Sequence, residues 1–182
     1  MIKSLVIASV LLVPAVALAQ NQPMYAPPPT HTGLTFEANL GFGLLRIAND
    51  SGDSDSEGAL GGLNLGIGGF LNPQMAVTVR ASGVTYVEDG GSLTQAFFGP
   101  SLQYWVTPNA WIGGGVGLGV ARIVVDGFGS DSETGFALDA RAGYTFNPGS
   151  KHSFNISAEI TPAFIEEATF TGIAILFGYQ TL

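Results

Sequence analysis

The chain contains no cysteine, which excludes a disulfide framework and any thiolate metal site. It has only six lysines and arginines against fourteen aspartates and glutamates, a net charge of -8. Without a basic surface to neutralise phosphates, nucleic acid is not an expected partner. Beyond residue 19 there is no apolar run near the roughly 20 residues that a membrane-crossing helix needs. Charged residues make up only 11% of the 182. Against these scarcities stand 26 glycines, 46% hydrophobic residues and a mean hydropathy of +0.35. High hydropathy without a spanning helix suits a lipid-facing β-barrel, in which every second residue meets hydrocarbon and the intervening ones can be small.

The first nineteen residues read as an export signal. Lys3 supplies the positive start, Leu5 to Val16 the apolar stretch, and Ala17-Leu18-Ala19 the small-residue cleavage site. Residues 20–33 are proline-rich and almost uncharged, and are expected to be a disordered or extended lead-in. Residues 34–182 then form one domain with one core.

From Leu34 the hydrophobic period is two. Eight alternating runs follow, at 34–44, 62–71, 75–87, 93–105, 110–122, 135–146, 153–164 and 169–182. In the first, Leu34, Phe36, Ala38, Leu40, Phe42 and Leu44 share one face; Thr35, Glu37, Asn39, Gly41 and Gly43 share the other. In the fifth, Ile112, Val116, Leu118 and Val120 oppose Gly113, Gly115, Gly117 and Gly119. Each run is about ten residues or more, enough for a tilted strand to cross a bilayer.

The connections alternate in kind. Leu71–Gln74, Val106–Asn109 and Asn147–Ser150 are short and contain proline, which ends a strand and pre-sets a turn. Ala48–Gly58, Glu88–Ser92, Asp126–Thr134 and Ile165–Ala168 are acidic and expected to be loops. Short turns on one rim and longer loops on the other match a barrel with periplasmic turns and extracellular loops. Phe36, Tyr104, Tyr144, Phe146, Phe154 and Tyr179 near one rim, with Phe98, Phe136 and Phe164 near the other, suggest two aromatic girdles.

Most carboxylates fall in those loops. Only Glu37, Asp139 and Glu159 lie within runs, on the polar face, together with Arg80 and Arg141. The interior of an eight-stranded barrel is just wide enough for side chains to fill it, and unpaired buried charges are costly. The five are therefore expected to form one interior network. If the turn after Phe146 sets that residue opposite His152, Arg141 faces Ser157, Asp139 faces Glu159, and Arg141 reaches Glu159 diagonally. The glycines of the fifth run make room for a bulky neighbour such as Arg141.

With this leader, strand count, turn alternation and inward charge cluster, residues 34–182 resemble the small outer-membrane barrels of the OmpA, OmpX and OmpW type. The resemblance implies an all-β, eight-stranded antiparallel up-and-down transmembrane β-barrel in the cell outer membrane, monomeric, among outer-membrane lipid and lipopolysaccharide. It also implies delivery by the barrel-assembly machinery, with Phe177 and Tyr179 supplying the aromatic C-terminal signal.

No catalytic, cofactor-binding or metal site is expected. His152 and Ser153, tested with Glu159 as a hydrolytic triad, point to opposite faces of a strand. Asp53-Ser54-Asp55-Ser56-Glu57-Gly58 resembles the opening of a calcium loop but lacks the completing glutamate. The expected role is non-enzymatic, structural or surface-interacting through acidic loops. The alternatives are a narrow channel for small or apolar solutes and a soluble periplasmic barrel of lipocalin type with its apolar face inside.

Overall fold

The computed structural model describes residues 31–182 apart from 50–53, 89, 126 and 167. The export signal and the lead-in as far as residue 30 lie outside the described residues, as does Asp53 of the calcium-like stretch. Eight strands follow in order: β1 (Leu34–Asn49), β2 (Ser54–Asn72), β3 (Met75–Glu88), β4 (Gly91–Trp105), β5 (Ala110–Val125), β6 (Gly129–Phe146), β7 (His152–Ile165) and β8 (Ala168–Thr181). Each pairs antiparallel with the next, and β8 returns to β1 to close the barrel. No described helix is long and apolar enough to cross a membrane.

The alternation in the sequence becomes two faces. Leu40, Phe42, Ile67, Leu118, Phe154 and Ile175 point outward and are exposed. Thr35, Glu37, Asn39, Thr78, Gln103, Asn155 and Thr161 point inward and are buried. A soluble barrel with its apolar face inside is therefore the wrong way round for this chain. The outer aromatics meet in pairs: Phe154 with Tyr179 and Phe136 stacked on Phe164 at 6.3 Å across ladders, and Tyr144 with Phe146 along β6.

Three expectations need correction. First, the acidic segments are mostly strand. β2 begins at Ser54 and β6 at Gly129, because β1–β2 and β5–β6 keep their ladders beyond the last lipid-facing apolar residue. Backbone pairing needs a partner strand, not an apolar face, so Ser- and Thr-rich extensions remain paired in water.

Second, Phe146 faces Phe154, not His152, so Arg141 lies directly opposite Glu159 and Gly143 opposite Ser157. The turn is the cause. Asn147 takes a left-handed φ of 57°, the Ser150 N–H donates to its carbonyl, and the Ser153 hydroxyl donates to the carbonyls of Asn147 and Ser150. The chain reverses through a longer turn than its proline alone suggests. The slip is two residues, so the facing of every side chain is preserved.

Third, the lead-in is not loose up to residue 33. His31 is buried, its ring centroid 5.3 Å from Phe70 and 5.0 Å from Trp105, with Nε2 3.3 Å from the Pro148 carbonyl. It sits against the turn side of the barrel. Burial holds its imidazole below the ordinary 6.5, with the Pro148 contact acting weakly in the other direction. An unfolded imidazole takes up its proton near 6.5 whereas the packed one resists. The contact is therefore intact above pH 6.5 and weakens as pH falls from there through the lower folded value. Acrylamide quenching of tryptophan fluorescence is expected to rise over that window in the wild type and to stay flat in His31→Leu.

Two glycine and proline features shape the wall. Gly61, at φ +109°, is the extra residue of a bulge, since Gly41 pairs with Gly62 and Phe42 with Leu60. Pro100 and Pro162 stand inside β4 and β7, and the β4–β5 and β6–β7 ladders skip them, as a residue without an N–H requires.

Candidate functional site

The lumen is filled in three layers. At the turn end, Trp105 and Trp111 pack with Ala76, Phe70 and Leu182. At the loop end, Phe97, Ala121, Ala137, Ala163, Ile165 and Phe170 form one apolar cluster, with Val84, Ala174 and Leu176 a second. Between these layers lie the charges.

All five charged residues placed inside by sequence come together in that middle layer. Arg80 of β3 is the hub. Its Nη1 donates to Asp139 Oδ2 at 2.5 Å and its Nη2 to Glu159 Oε2 at 2.8 Å, with Glu37 Oε1 at 3.7 Å. Arg141 of β6 donates from Nη1 to both oxygens of Glu37, at 3.0 and 2.8 Å, with Asp139 3.9 Å from its Nε. The guanidinium side chains are both 0% exposed. The expected Arg141–Glu159 contact is replaced by bonds across the lumen, Arg141 to β1 and Glu159 to β3. In so narrow a barrel a long side chain reaches the far wall as easily as its ladder neighbour.

Neutral groups complete the lattice. The amide of Asn39 donates to Glu37 at 2.7 Å, the amide of Asn64 to Glu159 at 2.7 Å, and the hydroxyl of Ser101 to Asp139 at 3.3 Å. Higher in the lumen Thr161 donates to Gln95 at 3.1 Å. Arg141 Cζ also lies 5.1 Å from the centroid of the Trp111 ring, a cation–π contact away from water. A side chain at Gly113 would place its Cβ 2.7 Å from Arg141 Nε, so this glycine makes the space the arginine occupies. Gly143 does the same for Trp111, whose ring would lie 2.3 Å from an added Cβ.

The two tryptophans and Phe97 belong to this interior but escaped the sequence reading, whereas Asn39, Asn64 and Ser101 lie on the polar face it identified, without being assigned to the charge network. Parity was the available signal: Trp105 continues the inward row of Gln103, and Trp111 that of Gly113. The groups tested as a triad are dispersed. His152 is exposed, with Nδ1 against the Tyr179 hydroxyl, Ser153 is buried on the other face, and Glu159 is held by Arg80 and Asn64. Among the described residues no group of His, Asp or Glu is arranged to hold a metal.

A closed eight-stranded wall with an apolar exterior and a hydrogen-bonded polar lumen defines an integral outer-membrane β-barrel. The comparisons agree. The chain belongs to the family described as the outer membrane protein beta-barrel domain, whose model matches residues 5–180. Comparison with curated proteins gives no match. Among solved structures, the fold is similar to Ail, the attachment invasion locus protein of Yersinia pestis, at a TM-score of 0.60 and 19% identity, covering 81% of this chain and 98% of that one. It is also similar to Neisserial surface protein A, at 0.62 and 14% identity, covering 82% and 97%. The protein resides in the cell outer membrane.

Proposed function

We propose that the protein is a non-enzymatic, structural and surface-interacting component of the outer membrane, a plugged barrel that holds an acidic rim at the cell surface. The occlusion of the lumen carries this reading. Both guanidiniums and the Asp139 carboxylate are 0% exposed, and apolar layers close the lumen above and below them. Ion conduction needs a hydrated or ligand-lined path, whereas here both cations are tied to carboxylates across the lumen. What remains for external contact is the rim, where Glu88, Asp131, Glu133 and Glu166 are exposed. These carboxylates outnumber the exposed rim arginines, Arg46 and Arg122, and a predominantly acidic rim steers cationic partners toward it.

Planar-bilayer recording on the purified, folded barrel tests the proposal. Wild-type protein is expected to show no resolved openings in molar potassium chloride. Stable unitary conductance in the wild type would overturn the plugged reading in favour of the narrow channel.

A further inference from the structure

The arginines divide by face. Arg80 and Arg141 are inside, while Arg46 and Arg122 are exposed at outward positions near the loop ends of β1 and β5. In the outward rows Arg46 follows Leu44 and Arg122 follows Val120, each one or two residues from the loop end of its strand's outward row, with Ala48 and Val124 next beyond them. The carboxylates at that level take the opposite face: Glu88 continues the inward row of Arg80 and Val84, and Asp131 and Glu133 that of Ala137 and Asp139. The outward rim therefore offers cations and hydroxyls to the headgroup layer and turns its strand carboxylates away from it.

Arg122 has an addition that Arg46 lacks. It pairs in register with Thr94 of β4 and Ser132 of β6. The Thr94 hydroxyl is 3.1 Å from that of Thr85, and both threonines border a depression of about 300 Å³ in the outer wall. The small residues Ala81, Gly83 and Ala96 form part of its lining, with Leu63, Leu65, Phe97 and Phe98 as its larger members. No ion pair engages Arg122 among the described residues, so its donors are available. Neither Arg46 nor its ladder neighbour Thr171 is among the residues that line this depression.

We propose that this face of β2–β6, with the groove on β2–β4 and Arg122 and Ser132 beside it, is a specific site for one phosphorylated glycolipid of the outer leaflet. A phosphate bonds to Arg122 and the neighbouring Thr94 and Ser132 hydroxyls, and an acyl chain lies in the groove below. Charge complementarity selects the anionic headgroup, and the position at the loop end selects the outer leaflet. The site depends on the membrane setting and is independent of whether the lumen conducts.

Native mass spectrometry of the detergent-purified barrel, titrated with diphosphoryl lipid A, its dephosphorylated form and phosphatidylglycerol, tests the site. Wild type is expected to retain one diphosphoryl lipid A in preference to the other two. Arg122→Gln should weaken retention about tenfold, the scale of a lost charge-assisted hydrogen bond. Ala96→Leu should weaken it comparably by filling the groove with Arg122 intact, and Arg46→Gln should bind as wild type. A heat shift on an unboiled gel confirms folding of each variant. Equal losses from the two arginine variants, wild-type binding by Ala96→Leu, or equal retention of phosphatidylglycerol would each overturn the proposal.

Discussion

Arg80→Met is expected to destabilise the folded barrel by about 3–5 kcal/mol, the range for removing one partner of a buried ion pair. The guanidinium bonds to Asp139 and Glu159 and lies 3.7 Å from Glu37, so its loss leaves three carboxylates with Arg141 as their one ion-pair partner among the described residues. Methionine keeps much of the volume but none of the charge, which isolates the electrostatic part. Urea unfolding in lipid vesicles, followed by tryptophan fluorescence, measures the loss. The triple variant Arg80→Met/Asp139→Asn/Glu159→Gln is expected to recover most of it, because the lattice is then neutralised rather than broken. Arg80→Lys should recover little, since an ammonium cannot span two carboxylates with a planar fork. An Arg80→Met barrel as stable as wild type would show that the lattice does not hold the wall together.

The second large effect is expected at the seam where the first and last strands meet. Gly41 pairs with Leu176, and a Cβ there would lie 1.9 Å from the Ile175 carbonyl oxygen and 2.8 Å from Leu176 Cα. Both are backbone atoms, so no side-chain rotation relieves the clash. Relief requires parting β1 from β8, and the β1–β2 bulge begins on the other side of the same residue. Gly41→Val should therefore cost more than the about 1–3 kcal/mol of an ordinary overpacked core and leave most of the protein unclosed. Unboiled and boiled samples compared on a gel report it: the variant should lose the fast-migrating folded band. Gly149→Ala, in the open turn where an added Cβ meets nothing within 4 Å, should migrate as wild type.

What the sequence shows well is parity. Glu37, Arg80, Asp139, Arg141 and Glu159 each sit on the polar side of an alternating run, and a closed barrel sends that side inward. Their meeting follows from parity and from a narrow lumen. Which arginine takes which carboxylate was not legible, for two physical reasons. The left-handed Asn147 and the Ser153 hydroxyl lengthen a turn in a way its proline does not announce. The decisive bonds also run across the lumen, from Arg141 to Glu37 and from Arg80 to Glu159, where ladder arithmetic carries no information.

The strand extensions were hidden for a related reason. Outside the hydrocarbon the apolar face is no longer needed, so the period-two signal fades at Asp131 and Glu133 while their backbone pairing with β5 continues. Trp105 and Trp111 share the facing of polar and glycine positions. Large aromatics there look out of place until Gly143 is seen to vacate the space beneath Trp111.

The wild-type arm of the unboiled gel, run on separated membrane fractions, tests the central claim most directly: that residues 34–182 close into one lipid-facing barrel. The account predicts a band in the outer-membrane fraction that migrates faster unboiled than boiled. A band in the soluble periplasmic fraction whose mobility is the same with and without boiling would contradict it.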